Sequence, residues 1–471
     1  MDFDHLLLSR IQFGFTLAFH IIFPAFTIGL ASYLAVLEGL LLATGREVFR
    51  HLYLFWVKVF ALTFGMGVVS GVVMSYQFGT NWSVFSDRVG SVLGPLLGFE
   101  VLTAFFLEAS FLGIMLFGWK KVGPTLHFIA TLFVAVGTLI SSFWILAANS
   151  WMQTPAGFAV EDGRFVALDW LQVIFNPSFP SRFAHMVTAA YLTTAMAVLG
   201  AAGLQGVLRK DGAETRVMRR MAIGLVAILA PAQLLIGHES GKVAHEYQPT
   251  KVAAMEGWWE TDRQSTILIG WPDDAAEKTH ILLETPKGWG GWVVTGDVNA
   301  VIRGLKAWPR SERPPTVLPF WGFRIMVGMG VVMIAMGWWG VVLWLRKSLD
   351  RARAFQWAAL FAGPAGFVAV VAGWITAEVG RQPYVVFGQL RTAESVSPVT
   401  TGAVSTSLLL FIVVYAIVFT AGAIYIGRLI VRGPSPDEDV GAPQQAPGNP
   451  LAMPLEPEEG PPIQPTGSAA E

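Results

Sequence analysis

Long apolar stretches alternate with short polar connections along most of the chain. A helix needs about 20 mostly apolar residues to cross a bilayer, because each residue adds about 1.5 Å along its axis. By that criterion the sequence predicts an all-α integral membrane protein with about nine transmembrane helices. The predicted spans lie roughly at 12–42, 53–79, 95–118, 125–148, 184–208, 217–238, 322–345, 355–376 and 404–431.

Positive charges are unevenly divided between the two sides of these spans. The connections after spans 1, 3, 5, 7 and 9, with their flanks, hold fifteen Lys and Arg, whereas the short connections on the other side hold five. Lys and Arg accumulate in cytoplasmic loops. The charge bias therefore predicts that the N-terminus lies outside and the C-terminus lies in the cytoplasm.

Two segments interrupt the pattern of spans. Residues 239–321 are polar and mixed in charge, lie between spans 6 and 7 on the predicted outer side, and form a loop long enough to suggest a function. Residues 433–471 are rich in Pro and acidic residues and contain no Lys or Arg, which predicts a disordered cytoplasmic tail. The predicted organisation is helices 1–6 over residues 1–238, the loop over 239–321, helices 7–9 over 322–432, and the tail over 433–471.

Composition supports a membrane protein and limits its chemistry. Hydrophobic residues make up 54% of the 471 residues and charged residues 14%, whereas a soluble domain carries about 25% charged residues. The net charge of -1 offers no basic excess for nucleic acid. The chain has no cysteine, which excludes disulfides, iron–sulfur clusters, thiolate metal sites and covalently attached haem. Any redox cofactor must be held non-covalently.

Four residues with haem-ligating side chains fall at one membrane level on the predicted outer side. His20 lies in span 1, His185 opens span 5, Met326 opens span 7 beside Arg324, and Glu378 follows span 8. Imidazole, thioether and, more rarely, carboxylate groups ligate haem iron, and ionisable residues within spans are commonly functional. Taken singly, a histidine can bond a carbonyl group, a methionine can fill a packing gap, and an interfacial carboxylate can meet water. Their shared level favours a haem site.

Spans 2 and 3 carry three further ionisable residues. Glu100 and Glu108 are eight residues apart, which gives about 12 Å of rise and about 80° of rotation on a regular helix. Glu100 then lies near the outer level and Glu108 near the middle of the membrane, while Lys58 lies in the inner half of span 2. This arrangement suits a proton path from the cytoplasm. Structural pairing of the glutamates and a snorkelling lysine are the alternative.

The long loop opens with a segment suited to a quinol. Residues 238–261 read HESGKVAHEYQPTKVAAMEGWWET and contain Lys251, Glu256, Trp258 and Trp259. A quinol needs a hydrogen-bond partner and a proton acceptor for its hydroxyl groups, and an apolar bed for its ring. An exposed, salt-bridged helix has the same composition and is the alternative. The remaining histidines are predicted to be interfacial or solvated: His5, His51, His127, His238, His245 and His280.

Taken together, these segments resemble the large subunit of cytochrome bd-type quinol oxidases over roughly residues 5–432. The resemblance is carried by several motifs: SRIQFGFTLAFHIIFP around His20, FEVLTAFFLEASFLG in span 3, RFAHMVTAAYLTTA around His185, FWGFRIMVGMG around Met326, WITAEVGRQPY around Glu378, and QPTKVAAMEGWWET in the loop.

The resemblance implies how the cofactors are held. His185 and Met326 would be the axial ligands of a low-spin haem b, with Arg324 as a charge partner. His20 and Glu378 would be ligands at two further positions, one a high-spin haem b and the other haem d or a further haem b. The second choice stays open because the short loop, with HESGKVAHEYQP and EGWWE, is more similar to the cyanide-insensitive branch, whose members carry haem b in place of haem d.

The same resemblance implies the roles of the remaining residues. Trp374 and Arg381 would line the pair of haems, and Asn149, in FWILAANSW, matches a polar position near them. Lys251 and Glu256 would belong to the quinol site, whereas Lys58, Glu108 and Glu100 would deliver protons.

The activity implied is that of a terminal respiratory oxidase in the bacterial inner membrane. Quinol, expected to be ubiquinol, would be oxidised at the outer face, and oxygen would be reduced to water with cytoplasmic protons, so that a proton motive force arises without pumping. The resemblance implies a second membrane subunit and, in many members, a very small third one. A membrane transporter with intramembrane carboxylates is the alternative, but it leaves His185 and Met326 unexplained and predicts inverted repeats, which the sequence lacks.

Overall fold

The structure of the chain is a computed structural model that describes residues 4–435. Nine helical segments in this part of the chain are long and apolar enough to cross a membrane, which confirms the predicted all-α membrane fold. Most of the tail predicted for 433–471 lies outside the described residues. The helices are α1 (His5–Thr44), α2 (Glu47–Thr80), α3 (Ser83–Glu100), α4 (Phe106–Phe117), α5 (Pro124–Gln153), α6 (Trp170–Ile174), α7 (Phe179–Val207), α8 (Ala213–Tyr247), α9 (Pro249–Glu256), α10 (Trp289–Thr295), α11 (Val317–Leu345), α12 (Arg353–Ala362), α13 (Ala365–Val379) and α14 (Thr401–Arg432).

The third span is not one regular helix. A π-helical turn over Val101–Phe105 joins α3 to α4, so it lies between Glu100 and Glu108. A π turn changes the rotation between the residues on either side, and such turns often occur at functional sites. The angle of about 80° expected for a regular helix therefore does not describe this pair.

Helix α8 continues well past the predicted end of its span at residue 238. It runs to Tyr247 and carries the polar sequence HESGKVAHEY on its last turns, and α9 begins two residues later at Pro249. The predicted loop over 239–321 therefore begins as a helix, because a helix that leaves the apolar core of a membrane keeps its internal hydrogen bonds in polar surroundings.

Strands occur only in the connections within the described part of the chain. They form three two-stranded antiparallel sheets. These connections all belong to one side of the helical bundle, named the loop face here, which carries residues 154–178, 248–316 and 380–400; the other side is the opposite face. The strands are β1 (Phe158–Glu161), β2 (Arg164–Ala167), β3 (Ile267–Asp273), β4 (Lys278–Glu284), β5 (Tyr384–Val386) and β6 (Leu390–Arg391).

The main core lies where α1, α2 and α7 pack together towards the opposite face. Its side chains are large and fully buried, for example Leu34, Trp56 and Leu199. At the edge of this core, Arg219 is buried and donates to Asp211 and Asp350, each at 2.8 Å. A buried cation is stable only when it is paired in this way.

The contact between α7 and α12 requires glycine at position 203. A Cβ atom there would lie 2.7 Å from the carbonyl oxygen of Gln356 and 2.8 Å from the backbone nitrogen of Leu360. Because both are backbone atoms, Gly203→Leu would force the helices apart, and overpacking of this kind costs about 1–3 kcal/mol. We expect a lower Tm in a thermal unfolding measurement in detergent. Gly224→Leu is the control, because a Cβ atom added at Gly224 would meet no other atom within 4 Å. An equal decrease of Tm in both variants would show that the contact at Gly203 is not the cause.

Candidate functional site

His20 lies on α1 against the closely packed helix α2. A Cβ on Gly71 would lie 3.2 Å from His20 Cε1, and one on Gly67 would lie 3.1 Å from Phe23 Cβ. Nδ1 of His20 is 2.9 Å from Ser70 Oγ, whose hydroxyl donates to the carbonyl oxygen of Gly67 at 2.9 Å. The hydroxyl donates to only one of these two acceptors; with its proton on Gly67, Nδ1 of His20 donates to Ser70 and Nε2 carries the lone pair. Metal-ligating histidines are held in this manner.

His185 and Met326 each lie opposite a glycine on a neighbouring helix. The amide of Gln233 on α8 donates to the carbonyl oxygen of His185 at 3.0 Å, and a Cβ on Gly237 would lie 3.1 Å from His185 Cε1. Nδ1 of His185 is buried and has no hydrogen-bond partner among the described residues. A Cβ on Gly373 of α13 would lie 2.6 Å from Met326 Sδ. A buried ring nitrogen without a partner is costly, so the imidazole of His185 could take a metal centre as a further partner.

Arg324, two residues before Met326 on α11, forms hydrogen bonds between that helix and the loop over 248–316. Its guanidinium donates to the carbonyl oxygens of Met255 at 2.6 Å, Ile267 at 2.9 Å and Phe320 at 3.0 Å. Nη2 is 3.3 Å from Glu256 Oε2. The predicted charge partner of the haem is therefore also the residue that fixes α9 above α11.

Glu378, at the end of α13, is the centre of a buried polar network. Oε1 accepts from Asn149 Nδ2 at 3.1 Å and from Gln153 Nε2 at 3.0 Å, and Oε2 accepts from Arg381. Arg182 donates to the side-chain oxygen of Asn149. Nε of Arg182, and Nε and Nη1 of Arg381, are buried without partners in the described chain. This excess of cationic donors fits the carboxylates of haem propionates, which arginine binds well.

Lys251 and Glu256 lie on α9 and are both inside the protein, 5% and 6% exposed. Nζ of Lys251 donates to Gln153 Oε1 and Gln248 Oε1, each at 2.5 Å. The amide of Gln153 in turn donates to Glu378. Burial lowers the pKa of Lys251 well below its usual value. Burial also raises the pKa of Glu256 to about 7, against the opposing effect of the Arg324 charge. The interpretation of this segment as an exposed, salt-bridged helix is therefore wrong.

The glutamates of the third span both contact α5. Oε1 of Glu100 accepts from Ser141 Oγ at 2.8 Å. Glu108 is 6% exposed, and a Cβ on Gly137 would lie 2.7 Å from its Cγ. On the same helix, Asn149 lies eight residues, or about 12 Å, beyond Ser141. Helix α5 thus joins the two glutamates to the network around Glu378.

Two predicted site residues lie where expected along the helices but take no part in the contacts described above. Lys58 is half-buried on α2, and Trp374 is half-buried on α13, one turn before Glu378. Three polar residues that form hydrogen bonds to the predicted site residues were not themselves predicted from the sequence. The only signal for them was a polar side chain inside or at the end of a span: Ser70, Gln153 and Gln233.

The prediction that His127 is interfacial or solvated is wrong. This residue is 2% exposed, and its Nδ1 is 2.6 Å from Glu38 Oε1. The other oxygen of Glu38 accepts from Thr131 at 2.6 Å, and Tyr53 OH is 2.9 Å from Thr131 Oγ1. The Glu38 carboxylate on α1 makes burial of the His127 imidazole possible. The sequence did not show that Glu38 lies opposite His127 of α5.

A helical membrane bundle that buries such histidine, methionine, carboxylate and arginine groups is typical of a haem-binding membrane oxidoreductase. The model of the family described as "Cytochrome bd terminal oxidase subunit I" matches residues 8–434. The chain therefore belongs to this family, as its motifs predicted. It is subunit I of a quinol:oxygen oxidoreductase, a multi-pass protein of the bacterial inner membrane that works with a second subunit.

Individual relatives match along most of their length. The "Cytochrome bd ubiquinol oxidase subunit 1" of Bacillus subtilis (strain 168) is 36% identical, and the match covers 88% of this chain and 91% of that one. The "Cytochrome bd-II ubiquinol oxidase subunit 1" of Escherichia coli (strain K12) is 32% identical, with 91% and 96% covered. The solved bd oxidase from Geobacillus thermodenitrificans superposes with a TM-score of 0.84 at 31% identity, covering 92% of this chain and 99% of that one. These similarities favour the oxidase over the transporter.

Proposed function

We propose that the subunit oxidises ubiquinol at its loop face and reduces oxygen to water with protons drawn from the opposite face. The loop face would be the outer side, as the distribution of Lys and Arg predicts. The observation that most supports this proposal is the hydrogen-bonded path from Lys251 through Gln153 to Glu378, because it connects the predicted quinol segment with a predicted haem ligand. Proton release outside and uptake inside would generate a proton motive force without pumping.

The proposed haem ligands follow from the buried groups of the loop face. His185 and Met326 would hold a low-spin haem b, with Arg324 nearby. His20 and Glu378 would serve the other two positions, a high-spin haem b and either haem d or a further haem b. The contact of His20 Nδ1 with Ser70, which leaves Nε2 for a ligand, and the unpartnered Nδ1 of His185 support this assignment. When bound, haem supplies the electron transfer and the oxygen chemistry.

Three further side chains would position that group. The unpartnered guanidinium atoms of Arg381 would bind acidic substituents of a haem. Asn149 would hold the Glu378 carboxylate through its amide, since the two lie 3.1 Å apart. Trp374, one turn before Glu378, would provide a flat apolar surface.

Proton delivery would use the carboxylates that contact α5. Glu108 is buried beside Gly137 of α5, four residues before the Ser141 that bonds to Glu100, and its proton would pass on to Glu100. Glu100 is held by Ser141, eight residues from Asn149 on the same helix. Lys58 on α2 would lie at the entrance of this path on the cytoplasmic side.

Glu256 would accept a proton from quinol, and its pKa of about 7 suits a general base at neutral pH. A carboxyl group accepts a proton only when it is ionised, that is, above its pKa, so activity should rise with pH through about 7. We expect Glu256→Gln to lower kcat or raise KM for quinol and to abolish this rise, with haem spectra intact. Lys251→Ala should likewise weaken quinol turnover without loss of haem.

Oxygen uptake as a function of pH measures these effects. Glu260→Gln is the control, because Glu260 is an exposed carboxylate of the same loop, paired with Lys306. Loss of every haem band in the Glu256 and Lys251 variants would show that α9 is a structural element. An unchanged pH profile in Glu256→Gln would contradict its role as a base.

The proposed function itself is tested in membranes of a bacterial host that lacks its own terminal oxidases. The chain is expressed together with its second subunit, and oxygen uptake is recorded with a ubiquinol donor. We expect uptake that requires both the chain and the quinol. Solute flux without any quinol-dependent oxygen uptake would support the transporter instead.

A further inference from the structure

We propose that the hairpin of β3 and β4 rests on the membrane surface at the loop face and contacts the lipids with its exposed apolar side chains. Six large apolar residues of this hairpin are exposed: Leu268, Ile269, Trp271, Ile281, Leu282 and Leu283. Leu282 is the most exposed of them, at 82%. Single exposed apolar residues are common, but a contiguous group of them marks a surface that binds a partner or a membrane.

The hairpin runs along the first turns of α11 in a defined register. Asp274 follows the end of β3, and its carboxylate accepts from the backbone nitrogen of Thr316 at 3.3 Å and from the Thr316 hydroxyl at 2.5 Å. The carbonyl oxygen of Ile267, the first residue of β3, accepts from Arg324 Nε at 2.9 Å. Because Arg324 lies about 12 Å beyond Thr316 along α11, the beginning of β3 lies closer to the middle of the membrane than its end.

The hairpin covers a side of α11 that points out of the helical bundle. Arg324, Val331 and Trp338 are spaced by seven residues, and residues at this spacing lie on nearly the same side of an α-helix. Val331 and Trp338 are exposed, so this side of α11 faces away from the rest of the described chain beyond the hairpin. The outer surface of the hairpin therefore continues a surface of a membrane-spanning helix.

The hairpin changes from polar to apolar in the direction of the membrane. Its turn, at the level of Thr316, carries or adjoins four charged residues: Asp273, Asp274, Glu277 and Lys278. The exposed apolar residues of β3 lie between this turn and the level of Arg324. Among them, Trp271 packs against Trp321 of α11 with ring centroids 6.1 Å apart. Tryptophan is enriched at the level where headgroups meet acyl chains.

Lipid fits this gradient better than a protein partner does. A contact with the second subunit would require apolar residues at its centre, but it would not require polarity to change with depth. A bilayer, by contrast, changes from water through headgroups to acyl chains along the same direction. Glu284, which ends β4 and accepts from Ser265, limits how far the hairpin enters, because its carboxylate would stay among the headgroups. The contact is therefore with the interfacial region.

The chain contains no cysteine, so the hairpin can be probed with single thiols. Leu282→Cys and Ile269→Cys each place a thiol in the apolar group, and Ala276→Cys, at an exposed position of the turn, is the matched control. The two-subunit complex is labelled with bimane in nanodiscs of phosphatidylethanolamine and phosphatidylglycerol. The complex with the unsubstituted chain gives the background from the second subunit.

We expect the labels at positions 282 and 269 to have blue-shifted emission, to lose intensity when the lipids are brominated near the headgroup, and to resist iodide in the water. The label at position 276 should be quenched by iodide and not by brominated lipid. These measurements need no turnover, so their outcome is separate from that of the proposed function.

Three results would overturn the proposal. Quenching of the labels at 282 and 269 by iodide alone would show that the hairpin faces water. Protection of both labels from both quenchers would show that protein covers the hairpin, such as the second subunit. Equal quenching by brominated lipid at 276 and at 282 would show that the hairpin does not lie across the interface in the inferred direction.

Discussion

Replacing Met326 by leucine is expected to convert the proposed low-spin haem to a high-spin form. Leucine has nearly the same volume as methionine, so the packing against Gly373 is kept, but it has no thioether to serve as the sixth ligand. His185→Ala should remove the imidazole and with it that haem. Visible and electron paramagnetic resonance spectra of the purified variants measure both effects.

Met333→Leu is the matched control for this experiment. Met333 is a buried methionine of the same helix, and it packs in the main core on the opposite-face side of the site. It should keep the wild-type spectrum. A low-spin spectrum that persisted unchanged in both Met326→Leu and His185→Ala would show that these side chains are not the ligands.

The second large effect is expected from Glu108→Gln, which should abolish or strongly slow oxygen reduction while quinol still reduces the low-spin haem. Glutamine keeps the shape and hydrogen-bonding capacity of the side chain in its buried place beside Gly137, but it cannot carry a proton. Oxygen uptake with a quinol donor, recorded beside the kinetics of haem reduction, separates the two steps.

Two further glutamate variants serve as comparisons for Glu108→Gln. Glu47→Gln, an exposed carboxylate paired with Arg50 near the start of α2, should leave oxygen uptake unchanged. Glu100→Gln should instead disturb the spectrum of the proposed high-spin haems, because α5 joins this residue to the network of Glu378. Normal oxygen uptake in Glu108→Gln would rule out the proton path but leave the haem assignment intact.

The membrane helices were predictable because a span of about 20 apolar residues is a local property of the sequence. The end of α8 and the π turn after Glu100 were not predictable, because both depend on neighbouring parts of the fold and not on the local hydropathy. A polar helix end such as 239–247 reads as a loop, and a π turn differs from an α-helix only in its backbone hydrogen bonds.

The candidate site was predictable as a set of residue types but not as a set of contacts. His20 and Glu378 stood out because such side chains are costly within spans, and Met326 because it lies beside Arg324 at the same predicted level. Their supporting residues did not: Gln153 joins Lys251 to Glu378 only because α5, α9 and α13 meet at the loop face. Likewise, the burial of His127 depends on Glu38, which lies 89 positions earlier in the chain.

The proposed function requires that this chain hold haem and use it to pass electrons from quinol to oxygen. The reduced-minus-oxidised visible spectrum of the purified two-subunit complex, with ubiquinol as the reductant, tests it most directly. We expect b-type haem bands that appear on addition of ubiquinol and disappear when oxygen is admitted, with a further red-shifted band if haem d is present. A complex without haem bands, or one whose bands do not respond to ubiquinol, would contradict it.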